Sequence, residues 1–125
     1  MTNPLTRLSI REVELNIHLG LLENERVEAQ AILFDIDLSF ATPPKGCQSD
    51  SIEDVVCYAE LLEHLRTHIP QKEYHLIEHL AHDIYLLVKQ KVPPETRVAI
   101  QLYKHPKLEG LSGGVSFYFS DGTQS

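Results

Sequence analysis

The 125-residue sequence contains no tryptophan, one methionine and two cysteines. Cys47 and Cys57 are too few for a disulfide framework and form no Cys-x-x-Cys metal motif. They read as reduced thiols, which predicts a cytoplasmic protein. No apolar run approaches the ~18 residues of a membrane span. The first four residues, Met1-Thr2-Asn3-Pro4, lack the basic and apolar regions of a secretory signal. Positive charge is also short: 11 Lys and Arg stand against 18 Asp and Glu, for a net charge of −7. A nucleic-acid partner needs a basic face to neutralise phosphates, and an anionic membrane surface needs the same, so both are excluded as expected partners. There is no internal repeat and no low-complexity tract. What remains is ordinary for a globular protein, with 42% hydrophobic and 23% charged residues. The length suits one domain over residues 1–125.

The apolar pattern begins with Leu8 and Ile10, then Val13, Leu15 and Ile17. Each part alternates with period two, and the phase slips by one residue between them, which predicts a strand carrying a β-bulge. Ile32, Phe34, Ile36, Leu38 and Phe40 form a second strand. Its other face carries Asp35 and Asp37 and is expected to meet water. Residues 19–29 are rich in charge and read as a polar hairpin turn. Residues 41–51 hold Pro43, Pro44 and Gly46 and read as a loop. Ser51-Ile52-Glu53-Asp54 resembles a capped helix start. Val55, Tyr58, Ala59, Leu62, Leu65 and Ile69 then recur at helical spacing until Pro70. Ile77, Leu80, Ala81, Ile84, Leu87 and Val88 mark a second helix, closed by Pro93-Pro94. Val98, Ile100 and Leu102 alternate as a third strand, and Val115, Phe117 and Phe119 as a fourth. The order ββααββ predicts an α+β fold, an antiparallel sheet with two helices packed on one face. Unpaired sheet edges in such a fold are commonly covered by oligomerisation.

Several polar residues interrupt these patterns. Lys104 continues the Val98–Leu102 face by two residues, which would point its ammonium toward the buried side, where a desolvated lysine can serve acid–base chemistry. A strand ending at Tyr103 would instead leave Lys104 in solvent. Glu78 lies at the border of the second helix's apolar stripe and in its first turn, where the helix dipole alone could account for a carboxylate. Glu25 is a loop acid beside Arg26, and loop acids are usually solvated. Tyr58 lies near the start of the first helix, where a half-buried ring would leave its hydroxyl in water. Seven histidines invite a metal reading. His64 and His68, and His75, His79 and His82, have helical spacing, but no His-x-His or His-Glu-x-x-His pattern occurs, so they read as solvated helix histidines and no metal site is expected.

Four motifs, taken together in this order, resemble the dihydroneopterin aldolase family over nearly the whole chain, from Leu8 to Phe119. Gly20, Glu25-Arg26 and Gln30 are similar to its Gly-x4-Glu-Arg-x3-Gln turn. Ser49 to Tyr58 is similar to its Asp-rich run ending in an active-site tyrosine. Leu76-Ile77-Glu78-His79-Leu80-Ala81 resembles its helix motif, and Lys104-His105-Pro106 its lysine followed by proline. In this chain Ser51 stands where the family often has a second Asp, and His105 is inserted before the proline. The resemblance implies the tunnelling fold, with subunits assembling into a multi-subunit β-barrel as tetramers or octamers and with sites between subunits. It implies a pterin substrate, 7,8-dihydroneopterin, cleaved by a retro-aldol reaction to 6-hydroxymethyl-7,8-dihydropterin and glycolaldehyde, with 2′-epimerase activity as a companion. It implies Glu78 as the pterin anchor with Ile77 completing the slot, Lys104 and Tyr58 as acid–base groups, and Glu25 near Lys104 or the substrate hydroxyls. No cofactor, metal or Schiff base is implied, because the C6=N5 imine of the substrate is itself the electron sink. Dihydroneopterin triphosphate 2′-epimerase, with Arg26 and Lys107 as phosphate-binding cations, is an alternative from the same fold. A non-catalytic pterin-binding oligomer is another. A zinc enzyme similar to 6-pyruvoyltetrahydropterin synthase would want a His-x-His strand motif that is missing here.

Overall fold

The computed structural model describes residues 4–122; the sequence reading of Met1–Asn3 lies outside them. Four strands, β1 (Thr6–Ile17), β2 (Gln30–Phe40), β3 (Arg97–Lys104) and β4 (Val115–Ser120), form one sheet in the order β1-β2-β3-β4. Every neighbouring pair is antiparallel. Between β2 and β3 run the helices α3 (Tyr58–His68) and α4 (Ile77–Lys89). Two single-turn helices, α1 (Glu23–Arg26) and α2 (Gly46–Ser49), sit in the β1–β2 connection and in the loop after β2. The expected order of strands and helices is therefore present.

The alternation seen in the sequence decides which face the helices cover. Leu15, Ile17, Ile32, Phe34, Ile36, Leu38, Val98, Ile100 and Leu102 are buried together with Leu61 and Leu65 of α3 and Leu80, Ala81, Ile84 and Val88 of α4. A buried Leu or Ile in such a cluster is worth about 1.5–3 kcal/mol relative to exposure. β1 and β4 are the sheet edges, and β4 presents Val115 and Tyr118 largely exposed.

The phase slip in β1 is a bulge. Ile10 pairs with Ile36 and Val13 with Phe34, so two residues of β1 oppose Asp35 alone. Glu12 takes a positive φ of 55° there, a conformation costly for a residue with a Cβ. Asp35 compensates by accepting the Glu12 N–H at 2.8 Å. The same carboxylate accepts the Tyr103 hydroxyl at 2.9 Å and meets Arg11 at 3.5 Å. Asp35 is thus 8% exposed, which corrects the expectation that this acid faces water. Its hydrogen bond is the largest cause raising the Tyr103 phenol above its ordinary range.

Two further expectations need correction. Ser51 does cap a turn, accepting the Glu53 N–H at 3.4 Å, but that turn is a single 3-10 turn, Ile52–Asp54. Val55 then goes extended (φ −138°, ψ 164°), and the α-helix starts only at Tyr58. Val55, Tyr58 and Ala59 are exposed, and the core face of α3 is Leu61 and Leu65, continued by Ile69. The polar turn after β1 is also more ordered than its charge suggests. Leu19 is fully buried, and a parallel bridge ties it to Tyr74, just before α4.

Candidate active site

The β1–β2 connection is built by its own motif residues. Gly20 is buried, and a Cβ placed on it would lie 2.3 Å from the Glu25 Cβ, so only glycine lets the loop close here. Arg26 Nη1 donates to the Gly20 and Leu21 carbonyls at 2.9 and 3.1 Å. Gln30 Nε2 donates to the Leu19 carbonyl at 2.6 Å. His18 Nδ1 lies 2.7 Å from the Arg26 carbonyl. The outcome is a half-buried Glu25 whose Oε1 accepts the Leu22 N–H at 3.0 Å, while no hydrogen bond among the described residues uses its Oε2. Arg26, the sequence candidate for binding a triphosphate, instead serves as a staple across the loop.

α4 begins without a side-chain cap, its N-cap being Leu76. The first intrahelical bond of the turn runs from Leu80 N–H to Leu76 carbonyl at 3.1 Å, which leaves the preceding N–H groups open. Glu78 sits in this first turn and is exposed, with Ile77 half-buried beside it. No hydrogen bond or ion pair holds the Glu78 carboxylate among the described residues. Lys104 is the last residue of β3, paired with Val115 of β4 and half-buried, so the strand does reach it. Its ammonium likewise has no hydrogen-bond or ion-pair partner among the described residues. Gly114 passes close by: a Cβ on it would lie 2.7 Å from the Lys104 carbonyl and from His105 Nδ1.

Topology brings three of these segments to one end of the sheet. Glu25 lies between the end of β1 and the start of β2. Lys104 follows Tyr103, which pairs with Leu33 near the start of β2. Ile77 and Glu78 follow Tyr74, whose N–H donates to the His18 carbonyl at 2.8 Å and whose carbonyl accepts the Gly20 N–H at 3.0 Å. Tyr58 does not join them. It is 58% exposed and lines an open cleft of about 490 Å³ with Leu5, with Thr6 to Leu8 of β1 and with Phe40 of β2, at the opposite end of the sheet. At ~3.3 Å rise per residue, the two ends are on the order of 25 Å apart along β2.

The histidines show two environments. His64 and His68 bond within or beside α3, to the Gln90 side chain and the His64 carbonyl. His79, His82 and Asp83 bring one ligand-type atom each within 4.8 Å of one another. The Lys72 ammonium lies 3.1 Å from both His79 Nε2 and Asp83 Oδ2, so a cation already occupies their approach. Sequence reasoning passed over Tyr74 and Asp83. Tyr74 is 2% exposed and donates its hydroxyl to Asp83 Oδ2 at 2.8 Å. Burial, then this bond, pushes the Tyr74 phenol well above its ordinary range. Burial alone would raise the Asp83 carboxyl, but the bonds from Tyr74 and Lys72 outweigh it and hold it below the ordinary value. The signal that could have found the pair is an acid, Asp83, at the border of the α4 apolar stripe within reach of a core tyrosine.

Residues 8–117 match the family model described as FolB, dihydroneopterin aldolase. A Chlamydia trachomatis protein described as "Probable dihydroneopterin aldolase" is 30% identical over 118 residues, 93% of this chain and 95% of its own. A Chlamydia muridarum protein with the same description is 28% identical over 91% of this chain and 95% of its own. The fold is similar to that of E. coli dihydroneopterin aldolase solved in complex with neopterin, with a TM-score of 0.81 at 21% identity over 94% of this chain and 99% of that one. It is also similar to a dihydroneopterin aldolase from Burkholderia thailendensis bound to guanine, with a TM-score of 0.70 at 18% identity over 96% of this chain and 93% of that one. Among the described residues, no helix is long and apolar enough to cross a membrane.

Proposed function

The chain belongs to the dihydroneopterin aldolase family and is an aldolase, a carbon–carbon lyase of folate biosynthesis; from that premise we propose an active site shared between two copies of the chain. One copy supplies Glu25, Ile77, Glu78 and Lys104, and a neighbour supplies Tyr58. The observation that carries this reading is the convergence of the first group at one end of the sheet, with Tyr58 at the other. Each chain, residues 1–125, is one domain of a homo-oligomer, a tetramer or octamer closed into a barrel through the β1 and β4 edges, working in the cytoplasm. Edge pairing of this kind removes the exposed strand borders that a lone copy would carry.

In this site the Glu78 carboxylate accepts two hydrogen bonds from the pterin edge, N3–H and the 2-amino group, a planar charge-assisted pair. Open N–H groups at the start of α4 lie beside it. The free Glu25 oxygen and the Lys104 ammonium face the trihydroxypropyl chain. Deprotonation of the 2′-hydroxyl breaks the C1′–C2′ bond, and the electron pair moves into the C6=N5 imine, protonated at N5. Glycolaldehyde leaves, and the enol at C1′ takes a proton to give 6-hydroxymethyl-7,8-dihydropterin. Lys104 and Tyr58 carry protons in the early and late steps. Each well-placed group of this kind contributes about 10²–10⁴ in rate. Re-addition of the C1′ enol to the opposite face of the glycolaldehyde carbonyl gives the 2′-epimer. The staple role of Arg26 supports a substrate without phosphates.

Subunit mixing tests the shared site. Lys104→Ala and Tyr58→Phe homo-oligomers are each expected to be nearly inactive on 7,8-dihydroneopterin. Unfolded and refolded together, they should regain about a quarter of the sites, those pairing an intact Lys104 with a neighbour's intact Tyr58. Mixtures no more active than the separate variants would show that both residues act from the same chain or that Tyr58 is dispensable.

A further inference from the structure

Glu78 and Glu25 lie on segments far apart in sequence, and Tyr74 is hydrogen-bonded to both of those segments. Its backbone is hydrogen-bonded on both sides to the β1–β2 connection, at the His18 carbonyl and the Gly20 N–H. Its ring is buried in the core, tilted against His79 at 5.7 Å between centroids. Its hydroxyl reaches Asp83 on α4, five residues beyond Glu78. Asp83 is held in turn by Lys72 at 3.1 Å, and the Lys72 ammonium also lies 5.0 Å from the Tyr74 ring centroid. A phenylalanine would satisfy the packing at this core position. A buried hydroxyl demands a partner, and the one it has belongs to the helix that carries Glu78.

We propose that Tyr74 and Asp83 are a positioning pair, which locks the Glu78 end of α4 in register with the Glu25 loop and so aligns the pterin anchor with the groups that act on the side chain. This rests on the assignment of Glu78 and Glu25 made above. Neither residue of the pair touches substrate. Without the tether, α4 keeps its core face and Glu78 still accepts a pterin edge, but the substrate side chain loses its alignment with Glu25 and Lys104. Misplacement by a fraction of an ångström to an ångström is costly in rate, not in anchoring.

The test separates those two quantities. Steady-state kinetics on 7,8-dihydroneopterin are measured beside the affinity for guanine, which carries an amidine-like edge for Glu78 and no side chain. Tyr74→Phe should lower kcat about fivefold and leave the guanine Kd within about twofold of the unaltered protein. Asp83→Asn, which keeps an acceptor oxygen, should retain kcat within about twofold, and Asp83→Leu should match Tyr74→Phe. The double variant Tyr74→Phe/Asp83→Leu should be no slower than either single, because one tether is lost only once. An unchanged kcat in Tyr74→Phe overturns the proposal. So does a parallel loss of kcat and guanine affinity, the mark of a purely structural role. Glu78→Gln is measured alongside: guanine binding as tight as in the unaltered protein would instead overturn the anchor assignment.

Discussion

Gly20→Ala is the sharpest way to ask whether the β1–β2 loop places Glu25 for chemistry. The added Cβ would sit 2.3 Å from the Glu25 Cβ, 3.1 Å from its Cδ and 3.2 Å from its Cγ. Carbon atoms pack comfortably at about 3.5–4.0 Å, so the closest pair must part by roughly 1.2 Å or more. The loop cannot yield on the Gly20 side, because the Gly20 N–H is bonded to Tyr74 and its carbonyl to Arg26. Glu25 must therefore move. Overpacking of this kind costs about 1–3 kcal/mol, which a folded domain survives. A displacement of about 1 Å at a positioned group costs on the order of 10²-fold in rate. The assay is glycolaldehyde release from 7,8-dihydroneopterin, with circular dichroism and sedimentation to confirm fold and assembly. Gly113→Ala is the control, since a Cβ there meets nothing within 4 Å. It should leave activity unchanged. A folded Gly20→Ala protein with unaltered kcat would rule out a placed Glu25, which would then act from either position or not at all.

Three other outcomes follow from the same structure. Lys104→Ala should leave a folded protein whose turnover is at least ~10²-fold lower, measured by product formation; an unchanged rate removes Lys104 from the chemistry. Asp35→Ala strips the Glu12 N–H at the bulge and the Tyr103 hydroxyl of their acceptor, and should cost about 2–4 kcal/mol, read in thermal unfolding at fixed protein concentration. The Asp83 carboxyl is held below its ordinary value of 3.8, so its contribution is present above that pH and is lost as pH falls through the depressed folded value. Thermal stability should fall less steeply below about pH 4 in Asp83→Asn than in the unaltered protein; identical pH profiles would contradict this.

Much of the sheet was legible because period-two alternation is a local property. The slip between Ile10 and Val13 placed the bulge, and the structure has it between those residues. The fate of Asp35 was not legible. Alternation puts it on the polar face, but its burial depends on Arg11, the turned-in Glu12 N–H and Tyr103 of another strand. The helix start is hidden from the sequence for a related reason. A serine followed by two acids caps a 3-10 turn as well as an α-helix, and only the extended Val55 separates the two here. At the site, Glu25, Glu78 and Lys104 could each be singled out, but local patterns could not bring them together. That convergence depends on contacts between distant segments, the Leu19–Tyr74 bridge among them, and on strand register. Nor could charge alone show that Arg26 is spent on two carbonyls of its own loop.

The activity to be tested is carbon–carbon bond cleavage of an unphosphorylated pterin by this chain's own acid and base groups. The most direct measurement is a product analysis of the purified protein incubated with 7,8-dihydroneopterin in EDTA, with dihydroneopterin triphosphate in parallel. Equal amounts of glycolaldehyde and 6-hydroxymethyl-7,8-dihydropterin are expected from the free pterin, undiminished by the chelator. Epimerised triphosphate with no glycolaldehyde from either substrate, or binding without any product, would contradict it.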